Sequence, residues 1–146
     1  MESSLQQNYL DAFKGRFTSL MRWHHLDEFW EKLKLKVDDG WYIYHVGDTP
    51  PESPVDSKKL LEFIDEIDTL LREEHDEDYC GIVYTDDKEN PAYIKVFDPN
   101  NLGVSCGSSE KPPLPGWILS RIPPIELEVA LYPPANRRRW WQRIFE

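Results

Sequence analysis

Two stretches of aromatic and β-branched residues near the middle of the chain have the composition of paired strands. They run from Tyr79 to Thr85 and from Ala92 to Phe97, and such residue types suit a half-buried pleated surface. The six residues between them are polar apart from Pro91 and are too few to form a helix. The pattern therefore predicts an antiparallel hairpin at this point.

The strongest helical pattern lies between residues 54 and 72. Apolar side chains recur there at spacings of three and four, which places them on one face of a helix. They are Leu60, Phe63, Ile64, Ile67, Leu70 and Leu71. Ser53 and Pro54 have the residue types of an N-cap and a first helical position. We therefore predict a helix of about five turns that ends between Arg72 and Asp78.

The N-terminal third of the chain predicts helices followed by a strand. Residues 3–22 and 26–36 both show helical spacing of apolar side chains, and residues 23–25 either bend one long helix or separate two. Residues 41–46 are aromatic or β-branched apart from His45, which predicts a strand. Because this strand is apolar on both faces, we expect it to lie in the interior of a sheet and under helices.

Two further segments complete the pattern. Residues 117–122 predict a last strand, which Pro123 stops, and residues 125–131 fit either an edge strand or a segment packed on the surface. The order is a helical region followed by β-α-β-β-β. We therefore predict an α+β fold with a mostly antiparallel sheet that helices cover on one face. The long helix between two strands also fits a β-α-β crossover, which would be right-handed if those strands were parallel.

Charge is distributed unevenly along this chain, whose formal net charge is −10. Residues 38–90 contain 17 acidic and four basic side chains. Such a surface repels phosphate backbones, so we expect no binding to nucleic acid. The last eleven residues have the opposite charge, because four arginines outweigh one glutamate. We therefore divide the chain into a single α+β domain, residues 1–135, and a basic, aromatic C-terminal tail, residues 136–146.

The sequence predicts a cytoplasmic protein. We find no secretory pattern at the N-terminus and no apolar run near the roughly 18 residues that span a bilayer. There are two cysteines, Cys80 and Cys106, and no C-x-x-C pair. We expect both thiols to be reduced, and a disulfide between them is the alternative.

Cys106 is the residue that best fits an enzymatic function. Gly103 and Gly107 flank it, so the backbone can turn tightly and its amides can form an anion-binding nest. A thiolate held there would be nucleophilic, but it needs a base within hydrogen-bond reach. The histidines lie far away in sequence, and we take His45 as the candidate base. The structural alternative is that Cys106 is a small apolar residue beside a turn.

The histidines do not predict a metal site. His24 and His25 are adjacent, so on a helix they point about 100° apart, whereas helical metal ligands are usually three or four residues apart. His75 lies in an acidic run that lacks the ligand spacing of a calcium loop, and we predict a solvated helix end there. We therefore expect neither a metal ion nor a cofactor.

The tail has the residue types that contribute most to protein interfaces. Its candidate partner-binding residues are Arg138, Arg139, Trp140, Trp141, Arg143 and Phe145. One alternative is a terminal helix that packs on the acidic body of its own chain or of a second copy. A membrane surface is a third possibility, but roughly ten residues without a lipid signal would anchor weakly. The sequence thus favours a non-enzymatic interaction or adaptor module that binds a protein partner or forms a homodimer. A small cysteine-dependent enzyme is the alternative function.

Overall fold

A computed structural model describes residues 2–100 and 113–131 of the chain. The elements in these residues are α1 (Glu2–Phe13), β1 (Thr18–Ser19), α2 (Trp23–Leu35), β2 (Tyr42–His45), α3 (Ser57–Glu74), β3 (Val83–Thr85), β4 (Tyr93–Val96), β5 (Trp117–Ser120) and α4 (Leu127–Leu131). The strands form one sheet in the order β1-β3-β4-β5-β2, and every neighbouring pair is antiparallel. The predicted α+β fold with an antiparallel sheet is confirmed.

The predicted hairpin is the pair β3 and β4, which aligns Val83 with Val96. Two carboxylates hold its connecting loop, and Asp87 Oδ1 accepts from the backbone N–H groups of Glu89 and Asn90. Asp86 Oδ1 accepts hydrogen bonds from the backbone N–H groups of Ala92, at 3.0 Å, and Tyr93, at 3.2 Å. These side chains thus supply polar contacts that close the seven-residue connection between β3 and β4. The predicted last strand is also present, as β5.

Helices α2 and α3 cover one face of the sheet and form the larger hydrophobic cluster with it. The helices contribute Leu26, Phe29, Trp30, Leu33, Leu60, Ile64, Ile67 and Leu71 to this cluster. The strands contribute Val83, Ile94, Val96 and Leu119, which lie on one face because side chains alternate along a strand. This helix-on-sheet layer is the one that the periodicity predicted.

Helices α1 and α4 pack on the opposite face, where a second and smaller cluster lies. Its buried members are Tyr9, Tyr44, Tyr93, Ile118 and Leu127. The sequence predicted helices on one face only, so this second cluster is an addition to the predicted architecture. Residues 125–131 were predicted as an edge strand or a surface segment, and they instead contain α4, whose Leu127 is fully buried.

Strand β2 lies at an edge of the sheet and not in its interior, because it pairs only with β5 among the described strands. It is apolar on both faces because both faces are covered: Ile43 packs against the larger cluster and Tyr44 lies in the smaller one. An isolated bridge from Val55 N–H to the Trp41 carbonyl, at 2.8 Å, covers one end of the edge.

The predicted β-α-β crossover is wrong in its strand pairing. Strands β2 and β3 flank α3 in the sequence, but β5 and β4 lie between them in the sheet. Because all four pairings are antiparallel, β2 and β3 also run in opposite directions. Helix α3 therefore connects a strand at one edge of the sheet to a strand near the opposite edge, and these two strands are not parallel neighbours.

The N-terminal region contains two helices that are separated by a short strand, so the predicted helix over 3–22 is wrong beyond Phe13. Phe17 and Leu20 have helical spacing, yet they belong to clusters on opposite faces of the sheet. Phe17 packs against Tyr93 with ring centroids 5.6 Å apart. Between them the chain is extended, because β1 pairs with β3 and Leu20 N–H donates to the Val83 carbonyl at 2.9 Å.

The long helix α3 begins three residues after its predicted start. Asp56, and not Ser53, is the N-cap, and its Oδ1 accepts a hydrogen bond from Lys59 N–H at 2.8 Å. The predicted apolar face is present, and Leu60, Ile64, Ile67 and Leu71 are its buried members. The helix ends at Glu74, within the predicted range.

Candidate functional site

Most residues of the predicted sites lie outside the part of the chain that the structure describes. These are Cys106 and the tail residues Arg138, Arg139, Trp140, Trp141, Arg143 and Phe145. His45 is described and lies at the exposed end of β2. Its Nδ1 is 2.8 Å from Asp48 Oδ2, and its ring stacks on Trp117 with centroids 5.6 Å apart. The carboxylate can therefore orient the imidazole ring, which leaves Nε2 as the atom for a second contact.

Cys80, the other cysteine, is a free and fully buried thiol. Burial raises its pKa, because the thiolate is poorly solvated there. Cys80 is thus placed as a core residue and not as a nucleophile. Among residues 2–100 and 113–131, no three side chains of histidine, cysteine, aspartate or glutamate form a group that could hold a metal ion.

His75 does not belong to a solvated helix end as predicted. It follows the last residue of α3 and only 8% of its surface is exposed. Its Nε2 lies 3.0 Å from the Cys80 carbonyl oxygen, and its ring contacts Trp23 and Tyr79 edge to face. The acidic neighbours of His75 predicted that it is exposed to solvent. Contacts from α2 and from the segment before β3 instead bury its ring.

A cleft of about 280 Å³ lies between α2 and α3, and we call it the acidic cleft. Four carboxylates and one lysine line it together with two apolar side chains. They are Asp27, Glu31, Asp65, Asp68, Lys34, Trp30 and Ile64. The apolar pair belongs to the larger cluster and is buried, so the carboxylates surround an apolar floor.

The basic groups at the acidic cleft are already paired with its carboxylates. Arg72 contacts Asp68 at 2.9 Å and Asp27 at 2.5 Å, and Lys34 contacts Asp65 at 2.7 Å. These side chains are partly exposed, and exposed ion pairs contribute only about 0–1 kcal/mol each. Glu31 is exposed and forms no ion pair with another described residue.

Helix α3 also presents carboxylates on its outer side. Glu62, Glu66 and Glu73 are exposed, and within the described ranges none of them forms an ion pair. They lie away from the buried stripe because α3 has 3.6 residues per turn. We call the acidic cleft and these three glutamates together the acidic face.

A second cleft, of about 190 Å³, lies between α2 and the β3–β4 loop. Its lining mixes charges of both signs over an apolar floor and consists of Leu20, His25, Glu28, Phe29, Lys32, Lys88 and Glu89. Lys32 is paired with Glu89 at 2.8 Å, and Lys36 Nζ donates to the Glu89 carbonyl. This cleft therefore contains charges of both signs and does not have the excess of carboxylates of the acidic cleft.

The sequence pattern did not identify Lys95, an unusual cation on the α1–α4 face of the sheet. Its Nζ lies 4.0 Å from the ring centroids of both Phe13 and Phe17. Burial lowers the pKa of Lys95 to about 8. A signal existed in the sequence, because this lysine interrupts a strand whose neighbours Ile94 and Val96 are apolar.

Comparisons with known proteins give no functional assignment. No protein-family model, no curated protein and no solved structure matches the chain. No helix in the described ranges is both long enough and apolar enough to cross a membrane. The inference of function therefore depends on the surface chemistry of the chain itself.

Proposed function

We propose that this chain is a non-enzymatic protein-interaction module that acts in the cytoplasm and binds a basic partner protein through its acidic face. The observation that supports this proposal is the excess of exposed carboxylates on α3. Residues 38–90 carry most of the negative charge of the chain, and α3 presents carboxylates along its exposed side. Such a surface attracts a cationic partner over a distance of about 10 Å at 0.1 M salt.

The acidic cleft gives the attraction a specific location. A lysine or arginine side chain from a partner can place its charge beside Glu31, which forms no ion pair with another described residue, and near Asp27 and Asp65. Charge complementarity raises association rates and selects partners more than it raises affinity, so we expect fast binding that weakens with salt.

The C-terminal tail supplies a second contact in this proposal. Its residues Arg138, Arg139, Arg143 and the aromatic Trp140, Trp141 and Phe145 combine positive charge with large apolar side chains. Tryptophan and arginine are the types most often found at energetic hot spots. The tail therefore either contacts the same partner or joins two copies of this chain, since its charge is opposite to that of the acidic face.

Affinity capture from native cells tests the proposal. The bait proteins are the wild-type chain, a cleft variant with Glu31→Lys and Asp65→Lys, and a chain without residues 136–146. We expect the wild type to enrich a protein with a basic surface. We expect the cleft variant to lose that protein by about tenfold or more, because two interface charges are reversed.

A control variant with Glu52→Lys and Glu126→Lys has the same change in net charge as the cleft variant. Both glutamates are exposed and lie outside the cleft lining, so this variant should retain the partner. Equal loss from both variants would show that only net charge matters. Equal retention by both would contradict binding through the acidic cleft, and loss on removal of the tail alone would assign the contact to residues 136–146.

The alternative function is a small cysteine-dependent enzyme in which Cys106 is the nucleophile and His45 the base. The observation that favours it is the 2.8 Å contact between His45 Nδ1 and Asp48 Oδ2, since a carboxylate that orients a histidine is part of many nucleophilic sites. Alkylation at neutral pH separates the two functions. Rapid labelling of Cys106 while the buried Cys80 stays unmodified would favour the enzyme.

A further inference from the structure

The second cleft, between α2 and the β3–β4 loop, has charged side chains on both of its walls, and we call it the mixed-charge cleft. The α2 wall carries Glu28 and Lys32, which lie on the same side of the helix because they are four residues apart. The loop wall carries Lys88 and Glu89. All four side chains are exposed. Each wall therefore presents one carboxylate and one lysine to the same cleft.

One ion pair crosses the cleft and holds its two walls together. Lys32 Nζ lies 2.8 Å from Glu89 Oε1, and Lys36 Nζ donates a hydrogen bond to the Glu89 carbonyl oxygen. Within the loop, Asp87 Oδ1 accepts a hydrogen bond from Glu89 N–H at 2.8 Å. These contacts hold the loop against α2, so the mixed-charge cleft is formed before any ligand binds, as ligand sites usually are.

The remaining carboxylate and lysine of the cleft, Glu28 and Lys88, do not pair with each other. Neither forms an ion pair with another described residue. They lie on opposite walls, so a ligand between them meets a negative group on one side and a positive group on the other. A ligand that contacts both groups favourably carries one positive and one negative charge.

Size and charge together define the class of this ligand. The cleft volume of about 190 Å³ is below the roughly 300–1,000 Å³ of pockets that hold drug-sized ligands. A simple anion would meet two carboxylates and a simple cation would meet two lysines, so like charges oppose each of them. Leu20 and Phe29 also line the cleft but are nearly fully buried, so recognition depends on the charged groups. These conditions describe a small zwitterion.

We propose that the mixed-charge cleft is a binding site for a free α-amino acid with a small side chain. The ammonium group of the amino acid contacts Glu28 and its carboxylate contacts Lys88. The ligand thereby adds a second link between α2 and the loop, next to the ion pair of Lys32 and Glu89. Because exposed ion pairs contribute little, we expect a Kd of about 1 mM at low salt. None of these residues lines the acidic cleft, so this site does not depend on the proposed function.

NMR titration of the full-length wild-type protein with L-valine at low salt tests the proposal. The readout is the backbone amide signals of residues 25–32 and 86–90, and we expect them to shift and saturate. N-acetyl-L-valine has no ammonium group and L-valinamide has no carboxylate. Each analogue should bind about tenfold more weakly than L-valine, because it leaves one of the two protein charges without a contact.

The variants Glu28→Gln and Lys88→Gln should each weaken L-valine binding by about tenfold. The matched controls are Glu31→Gln on α2 and Lys58→Gln on α3, which make the same changes in charge at exposed positions outside the lining of this cleft. Both controls should bind L-valine as the wild type does.

Three results would overturn the proposal. The first is the absence of a saturable shift with L-valine. The second is equal binding of the two single-charge analogues, which would show attraction of one charge only. The third is equal binding by the cleft variants and the control variants, because the contacts would then lie elsewhere. The amide spectrum of each variant without ligand shows whether its fold is intact.

Discussion

Leu60 and Leu61 are neighbours in α3 but have opposite environments. Leu60 is fully buried in the larger cluster, whereas 36% of the Leu61 surface is exposed. We predict that Leu60→Ala lowers the free energy of unfolding by about 2–5 kcal/mol, the usual range for emptying a packed core position. Leu61→Ala should cost less than about 1 kcal/mol, because Leu61 is exposed and belongs to neither hydrophobic cluster.

Urea unfolding of both variants and the wild type measures these costs from the shift in midpoint at constant slope. The two substitutions have the same chemistry and nearly the same position in the helix, so propensity effects cancel. Similar losses at both positions would mean that the apolar stripe of α3 does not pack on the sheet as described.

Residues whose environment depends on distant contacts were the hardest to predict from the sequence. Lys95 meets Phe13 across 82 positions of the chain, and no local spacing predicts such a contact. His75 was predicted to be solvated from its acidic neighbours, yet Trp23 and Tyr79 bury its ring. The buried stripe of α3, in contrast, was predicted because its residues are set by the period of one helix.

At the scale of elements, the first turn of α3 depends on a single capping residue. Asp56 Oδ1 accepts the hydrogen bond from Lys59 N–H at 2.8 Å, and such a bond satisfies one of the free donors at a helix start. We predict that Asp56→Ala lowers the free energy of unfolding by about 0.5–2 kcal/mol. Asp56→Ser should retain most of the stability, because serine also caps.

The control for this prediction is Ser53→Ala, which removes the cap that the sequence pattern suggested. Ser53 is exposed and lies outside α3, so the change should stay within about 0.5 kcal/mol. Thermal or urea unfolding of the three variants decides between the two positions. A larger loss for Ser53→Ala than for Asp56→Ala would place the helix start where the sequence pattern put it.

Elements formed by residues that are close in the sequence were predicted correctly. Elements that depend on pairing with a distant strand were not. The β3–β4 hairpin, α3 and β5 each follow from a continuous run of residues. The segment 14–22 has helical spacing but is drawn into an extended form by pairing with β3. Strand β2 has the composition of an interior strand because both of its faces are covered, although β5 alone pairs with it among the described strands.

At the scale of the whole molecule, the two faces of the sheet are covered by different helices, and these two helical layers have different roles in the proposed function. The α1–α4 face contains the tyrosine cluster and Lys95, and burial raises the pKa of both Tyr9 and Tyr93. The opposite layer is formed by α2 and α3, and its outer surface is the acidic face. In the proposed function, a partner with a basic surface contacts the α2–α3 layer and leaves the α1–α4 face free.

Site-specific photo-crosslinking in native cells tests this central claim most directly. Benzoylphenylalanine replaces Glu31, Glu62 or Glu66 on the acidic face, or Glu52 as a control at another exposed position. We predict that the three positions on the acidic face crosslink the same protein, that this protein has a basic surface, and that the Glu52 position does not crosslink it. Crosslinking from Glu52 alone, or from none of the three positions on the acidic face, would contradict the account.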